Sequence, residues 1–236
     1  MQLRAAMVVL VSCVLMTGTQ MKEARAAGSA ASSLLPILEL LDKAKLSGSL
    51  EFSGSCETFS SPEFPRFPEL NTNSTVGSSP LQTLREFFAN DPAMHVTQDP
   101  DGTVRMTESG VPQDILNVKI SHISFDGNGV GFYNPYAAMN FITWTPEVRL
   151  FMTSHHIGWP YSGNVANGIF GTVPTSLPHL SGHMDNITLS EAMDHVLKTF
   201  PGVWIYENCP RSDSRGRVVY FQFYQLQRTG SRAIVQ

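Results

Sequence analysis

Seven histidines are the residues of this chain best suited to hold a metal or move a proton, and two pairs lie close together in sequence. His179 and His183 stand four apart, a spacing that would put both imidazoles on one face of a helix. Pro178 and Gly182 surround the pair with strand or loop signals, however, and no H-E-x-x-H pattern is present. His155 and His156 are adjacent, so on a strand they would point to opposite sides. Surface or hydrogen-bonded histidines are therefore expected, with no metal. His195, beside Asp194 and Lys198 on the polar face of an amphipathic helix, is accounted for by solvation. Asp126-Gly127-Asn128-Gly129-Val130-Gly131 looks superficially like a calcium or phosphate loop. Counted from Asp126, the position that needs a bidentate glutamate is Ala137, and no Gly-Lys-Ser/Thr follows. A turn is expected there, as it is at Asp99 and Asp101 beside Gly102. With no G-x-S-x-G elbow either, no catalytic residue or cofactor is assigned, and the pattern points away from an enzyme.

The three cysteines lead to the question of compartment. One positive side chain in Met1 to Arg4, an apolar run from Ala5 to Met16, and Ala24-Arg25-Ala26 form the pattern of a secretory signal peptide over residues 1–26. Its apolar run is shorter than the roughly 18 residues of a membrane span, and no later run is a better candidate. Leu10-Val11-Ser12-Cys13 also resembles a lipobox, with Cys13 as a lipid anchor. That route would leave an unusually short signal, so ordinary cleavage is favoured. Cleavage leaves Cys56 and Cys209, which an oxidising compartment would join as a disulfide, with two buried thiols as the alternative. It also leaves 13 basic and 19 acidic side chains, a net charge of −6 with histidines neutral. Such an acidic chain lacks the clustered Lys and Arg with which proteins displace counterions from nucleic acid, so a nucleic-acid partner is excluded.

The elements that must position any site come from periodicity and caps. Residues 27–48 combine a small-residue stretch with a short helix from Pro36 to Leu46, and a strand is expected over Ser49–Ser53. Ser79, Pro80 and Gln82 form an S-x-x-Q helix start, and Leu81, Leu84 and Phe88 form its apolar stripe. Two alternating segments follow, Met94–Thr97 and Thr103–Met106, around the turn Asp99-Pro100-Asp101-Gly102. The same order returns 109 residues later: Thr188 and Glu191 form a T-x-x-E box, and Leu189, Ala192, Met193, Val196, Leu197 and Phe200 share one helical face. Strands then follow at Val203–Tyr206 and Arg217–Leu226. A strand at His179–Met184, ending in an Asp185-Asn186 turn, precedes this second helix. Between the copies, Leu116–Ile120 and Val148–Thr153 read as strands. The expected class is α+β, with two related helix-plus-hairpin units, 49–125 and 179–236, joined by an irregular, partly β segment over 126–178.

The stretch Leu180-Ser181-Gly182-His183-Met184-Asp185-Asn186-Ile187-Thr188-Leu189-Ser190-Glu191-Ala192-Met193 resembles the short domain at the amino terminus of secretins and TonB-dependent receptors. The likeness covers about 50 residues of the second half and, more faintly, a similar length of the first. It implies βα-type modules of the bacterial envelope that make protein contacts without catalysis. The chain has no room for a receptor or secretin barrel, so neither activity is carried over.

One aromatic contrast separates the two copies. Alternation sets Trp204 and Tyr206 opposite Val203 and Ile205, and sets Tyr220 and Tyr224 opposite Phe221 and Phe223. If the aliphatic and Phe faces meet the helix, Trp204, Tyr206, Tyr220 and Tyr224 form a recognition face; packing inside the protein is the competing outcome. The function read from these features is a noncatalytic periplasmic or secreted protein that contacts an envelope protein. The alternatives are a secreted hydrolase or metal-dependent enzyme built around His155, His156 and Asp126, and a carbohydrate-binding module using Trp204 and the tyrosines.

Overall fold

A computed structural model describes residues 34–54, 79–126, 130–158, 178–210, 216–229 and 232–235. The class is α+β. In chain order the elements are α1 (34–44), β1 (Gly48–Ser53), α2 (Pro80–Phe87), β2 (Met94–Gln98), β3 (Val104–Glu108) and β4 (Lys119–Ser124). A 3-10 turn at Val130–Tyr133 leads into α3 (Pro135–Thr143), α4 (Pro146–Ser154) and β5 (Ile157–Gly158). Then come β6 (His183–Thr188), α5 (Leu189–Thr199), β7 (Val203–Pro210), β8 (Arg217–Tyr224), β9 (Leu226–Thr229) and β10 (Arg232–Val235).

Three helices start on the same dipeptide logic, a polar N-cap followed by proline at the first helical position. Ser79 caps α2 by accepting from Gln82 N at 3.2 Å, and Asn134 caps α3 by accepting from Tyr136 N at 2.9 Å. Thr145-Pro146 opens α4 without a side-chain cap bond. The α2 box is only half made, because the Gln82 side chain donates to Glu86 at 3.0 Å instead of reaching back. The α5 box is complete: Glu191 N donates to Thr188 Oγ1 at 3.1 Å, and Thr188 N donates to Glu191 Oε2 at 2.6 Å. That carboxyl is held below its ordinary value by the Thr188 backbone and side-chain hydrogen bonds.

Both expected helix-then-hairpin orders are present, α2-β2-β3 and α5-β7-β8, each hairpin antiparallel. Their strands belong to one six-stranded sheet, ordered β2-β3-β1-β7-β8-β5. The strand β1 lies between the hairpins, parallel to the second strand of the first and to the first strand of the second. The two hairpins thus meet β1 through non-equivalent strands, and their helices pack on opposite faces of the sheet. On one face, α1 and α2 bury Leu50, Phe52, Val104, Met106, Val203 and Ile205. On the other, α3 and α5 pack with the β4–β6 ladder over Trp204, Tyr206, Val219 and Phe223.

Three local expectations are corrected. The strand expected at Leu116–Ile120 begins only at Lys119 and runs to Ser124, after a turn over 114–117. Residues Val148–Thr153 are helical, within α4, because Val148 and Met152 stand four apart and both turn inward. The strand expected at His179–Met184 lies later, at His183–Thr188. It passes through Asn186, whose φ of 50° is a left-handed conformation that asparagine tolerates better than most residues.

Candidate interaction surface

Pairing in the β7–β8 hairpin decides the fate of the expected aromatic face. Trp204 stands opposite Phe223 and Tyr206 opposite Phe221, whereas Val203 pairs with Tyr224 and Glu207 with Tyr220. Tyr220 and Tyr224 therefore lie on the sheet face opposite Trp204 and Tyr206. Register is the cause: a shift of one residue would have placed all four together. Trp204 and Tyr206 are also 0% exposed, so neither offers a docking surface, and the four-residue face is withdrawn. Tyr220 and Tyr224 are half-buried, and the Tyr224 hydroxyl donates to Gln222 at 2.6 Å. Tyr206 donates to the Pro112 carbonyl at 2.9 Å, and burial pushes its phenol well above the ordinary value.

What sits beside the buried aromatics is a polar cluster built from three strands and α5. The register places Arg105 of β3, Ser49 of β1 and Trp204 of β7 in one cross-strand row. Asp194 of α5 accepts from Trp204 Nε1 at 2.9 Å and pairs with Arg105. Arg105 also bonds Asp99 at 2.8 Å, lies 3.7 Å from Glu51, and stands 5.5 Å over the Trp204 ring. Glu51 in turn accepts from Ser49, Thr107 and Gln113 at 2.8–3.1 Å. Burial opposes the charge on Arg105, but Asp194 and Asp99 overrule it and raise the guanidinium's pKa. Burial lifts the Asp194 carboxyl above its ordinary value despite Arg105 and the indole N–H. The cluster's donors and acceptors satisfy one another, which suits a buried network that locks α5 onto the sheet. Asp194 is thus buried rather than part of a solvated helix face. His195 is only partly solvated, lying nearly parallel to Phe125 with centroids 6.1 Å apart; burial lowers its pKa.

The residues named for an enzyme do not converge. His155 caps α4, stacks on Phe151 at 3.9 Å and bonds its carbonyl at 2.9 Å. His156 follows with a φ of 54°. Asp126 accepts from Gly182 N at 3.1 Å and from Ser124 Oγ at 3.2 Å, so its carboxylate is spent on the β4–β6 end. His183 lies on exposed β6, near Asp185, whose carboxyl is bonded by His122 at 2.6 Å. His179 packs its ring on Tyr133 at 4.4 Å. Among the described residues, no group of three or more His, Cys, Asp or Glu is placed to hold a metal ion, and no helix is long and apolar enough to cross a membrane. Residues 1–26, Cys13 and Cys56 lie outside the described residues, and the Cys56–Cys209 pairing with them.

Among the described residues, the large apolar side chains left in solvent are on α3 and α4. Ala138, Met139 and Ile142 turn α3 into the core, leaving Tyr136 and Phe141 outward; burial still pushes the Tyr136 phenol up to about 12. Trp144 ends α3, and on α4 the inward pair Val148 and Met152 leaves Arg149 and Leu150 facing out. Phe141 is 46% exposed, Trp144 55% and Leu150 71%. The Arg149 guanidinium lies 5.0 Å over the Trp144 ring. A cavity of about 180 Å³ opens between Trp144, Arg149, Met152 and Ile157. A second of about 380 Å³ lies beside Leu150, Phe151 and Lys119. These residues were absent from the expected site, although Thr145-Pro146 and the four-residue spacing of Val148 and Met152 were legible as a helix start and its inner face.

No family model matches the chain, and no curated protein or solved structure matches it either.

Proposed function

We propose that this is a noncatalytic periplasmic or secreted protein of the bacterial envelope, and that it docks another envelope protein through the outer faces of α3 and α4. The observation that carries the docking is the exposure of Phe141, Trp144 and Leu150, with Arg149 stacked on the tryptophan. Aromatic and arginine anchors supply most of the energy of protein interfaces, and the exposed leucine adds apolar area on α4. The signal-peptide pattern of residues 1–26 and the secretin/TonB short-domain likeness around Thr188 support the compartment. Further support comes from Cys209, buried on β7, and from β1: Gly54 N donates to Asn208 O at 2.9 Å, beside Cys209. Cys56 follows Gly54 by two residues, a span of at most about 7 Å, which suits a Cys56–Cys209 disulfide.

The test is site-specific photo-crosslinking in the native host, with the photoreactive residue at position 150 and cell fractions separated afterwards. The expected result is an envelope-fraction protein that forms a discrete adduct, lost on Trp144→Ala. Retention in the cytoplasm with residues 1–26 intact would refute the compartment. A folded, exported protein that forms no adduct from position 150, or from position 141 as a second attachment point, would refute the docking face.

A further inference from the structure

The cavity beside α4 is chemically lopsided, and that asymmetry points to what it takes. Its floor is Met152 and Ile157, both largely buried, and its rim is Thr143, Thr153, Trp144 and Arg149. The two threonine hydroxyls already donate inward, to Asn140 O at 3.0 Å and Arg149 O at 2.9 Å. Arg149 does not. Arg85 donates to the Val96 carbonyl, Arg105 to Asp99 and Asp194, and Arg217 to Asp114. Among the described residues no carboxylate pairs with the Arg149 guanidinium, whose contact is the Trp144 face. Glu147, two positions back and so on a different side of the helix, is spent on Ser121 N at 3.0 Å and on the Ser121 hydroxyl.

We propose, building on the docking reading above, that this site recognises a partner polypeptide in which an Asp or Glu stands beside a large apolar side chain. The apolar side chain enters the cavity over Met152 and Ile157, and the carboxylate takes the Arg149 fork. Stacking on Trp144 holds the planar guanidinium ready for two parallel hydrogen bonds, so little rotamer freedom is lost on binding. Charge complementarity selects the sign. Arg149 is a cation that no carboxylate among the described residues neutralises, at the rim of a cavity floored by Met152 and Ile157, so the local charge attracts a carboxylate there and repels a basic group. A doubly charged phosphate would call for a second cation, and among the described residues none lines this cavity. A free small carboxylate would fill the cavity yet leave Phe141 and Leu150 in water, whereas a polypeptide covers all three.

The test is selection of a random-peptide display library on the full exported protein, with the Trp144→Ala/Leu150→Ala double variant as counter-selection. The expected outcome is enrichment of peptides carrying Asp or Glu next to Leu, Ile, Phe or Trp. Arg149→Gln should weaken a selected peptide roughly tenfold, as loss of a charge-assisted hydrogen bond does. Replacing the peptide's Glu by Gln should cost a similar factor, and the two losses should not multiply. Circular dichroism of each variant separates lost binding from lost folding. Enriched peptides without a carboxylate, or unaffected by Arg149→Gln, overturn this proposal while leaving an apolar docking face intact. No enrichment over the double variant overturns both.

Discussion

Asp194→Ala is the sharpest probe of how the second helix is fastened to the sheet. The substitution removes the acceptor of the Trp204 Nε1–H, whose ring is fully buried, and one carboxylate partner of Arg105. An unpaired buried donor costs about 1–3 kcal/mol. Deleting one partner of a buried ion pair costs about 3–5 kcal/mol when the remaining charge is stranded. Arg105 is not stranded, because Asp99 remains at 2.8 Å and Glu51 at 3.7 Å, so the loss should fall below that range. Alanine's better helix propensity returns about half a kcal/mol. The expected net destabilisation is about 3 kcal/mol. Asp194→Asn keeps an acceptor for the indole but exchanges the oxygen that accepts from Arg105 for an NH2 group, so it should cost about 1–2 kcal/mol. Trp204→Phe removes the donor itself, and should therefore cost less in the Asp194→Ala background than in the wild type. Urea unfolding followed by far-ultraviolet circular dichroism, with a common denaturant slope, measures the wild type and all four variants. An Asp194→Ala protein within about 0.5 kcal/mol of wild type, or equal costs for alanine and asparagine, would refute the network as the fastening.

Two further predictions concern compartment and pH. Intact mass with alkylation, before and after reduction, should show a Cys56–Cys209 bridge; closing so long a loop stabilises by about 4–5 kcal/mol in the chain-entropy model. Two alkylated thiols in protein taken from the envelope would rule the bridge out. His195 is depressed below 6.5 by burial and by Lys198, so the unfolded chain binds the proton more readily. Its contribution to stability is therefore complete above pH 6.5 and is lost as pH falls through the depressed value. A His195→Gln protein should show a flatter stability profile across that window; an unchanged slope would refute the assignment.

Where sequence reading succeeded, one local pattern determined the outcome. The α5 stripe from Leu189 to Phe200 is fully in the core, and its Thr188–Glu191 box forms as its spacing requires. Both hairpins form from alternating segments, and the Asp99–Gly102 turn closes the first. Where reading failed, the deciding fact was long-range. Alternation correctly split Trp204 and Tyr206 from Val203 and Ile205, but the split within β8 could be joined to it in two ways. Only the pairing of Val203 with Tyr224 chooses between them. Likewise nothing local says that β1 will lie between the two hairpins, merging two apparent units into one sheet. The site was missed for a different reason. As a strand, Val148–Thr153 would alternate its faces; only the helix, with Val148 and Met152 inward, turns Arg149 and Leu150 out together.

The aromatic contrast between the two hairpins has a structural cause, and it also explains why the exposed apolar groups are where they are. One face of the central sheet is polar along β2, β3 and β1, through His95, Thr97, Arg105, Thr107, Ser49 and Glu51. The same face is aromatic along β7 and β8, through Trp204, Tyr206, Phe221 and Phe223. The helix α5 crosses the seam, giving Met193, Val196 and Leu197 to the aromatic side and Asp194 to the polar side. A helix with only an apolar stripe would leave the buried Trp204 indole N–H without its acceptor; one without that stripe would leave Trp204 and Phe223 wet. Because α5 closes one part of the aromatic surface and α3 covers another, the sheet's large aromatics are consumed by folding. Phe141, Trp144 and Leu150 belong instead to the outer faces of α3 and α4, which no further layer among the described residues covers. Burial thus explains the aromatic residues of the second hairpin, and the proposed recognition falls to the outer faces of α3 and α4 instead.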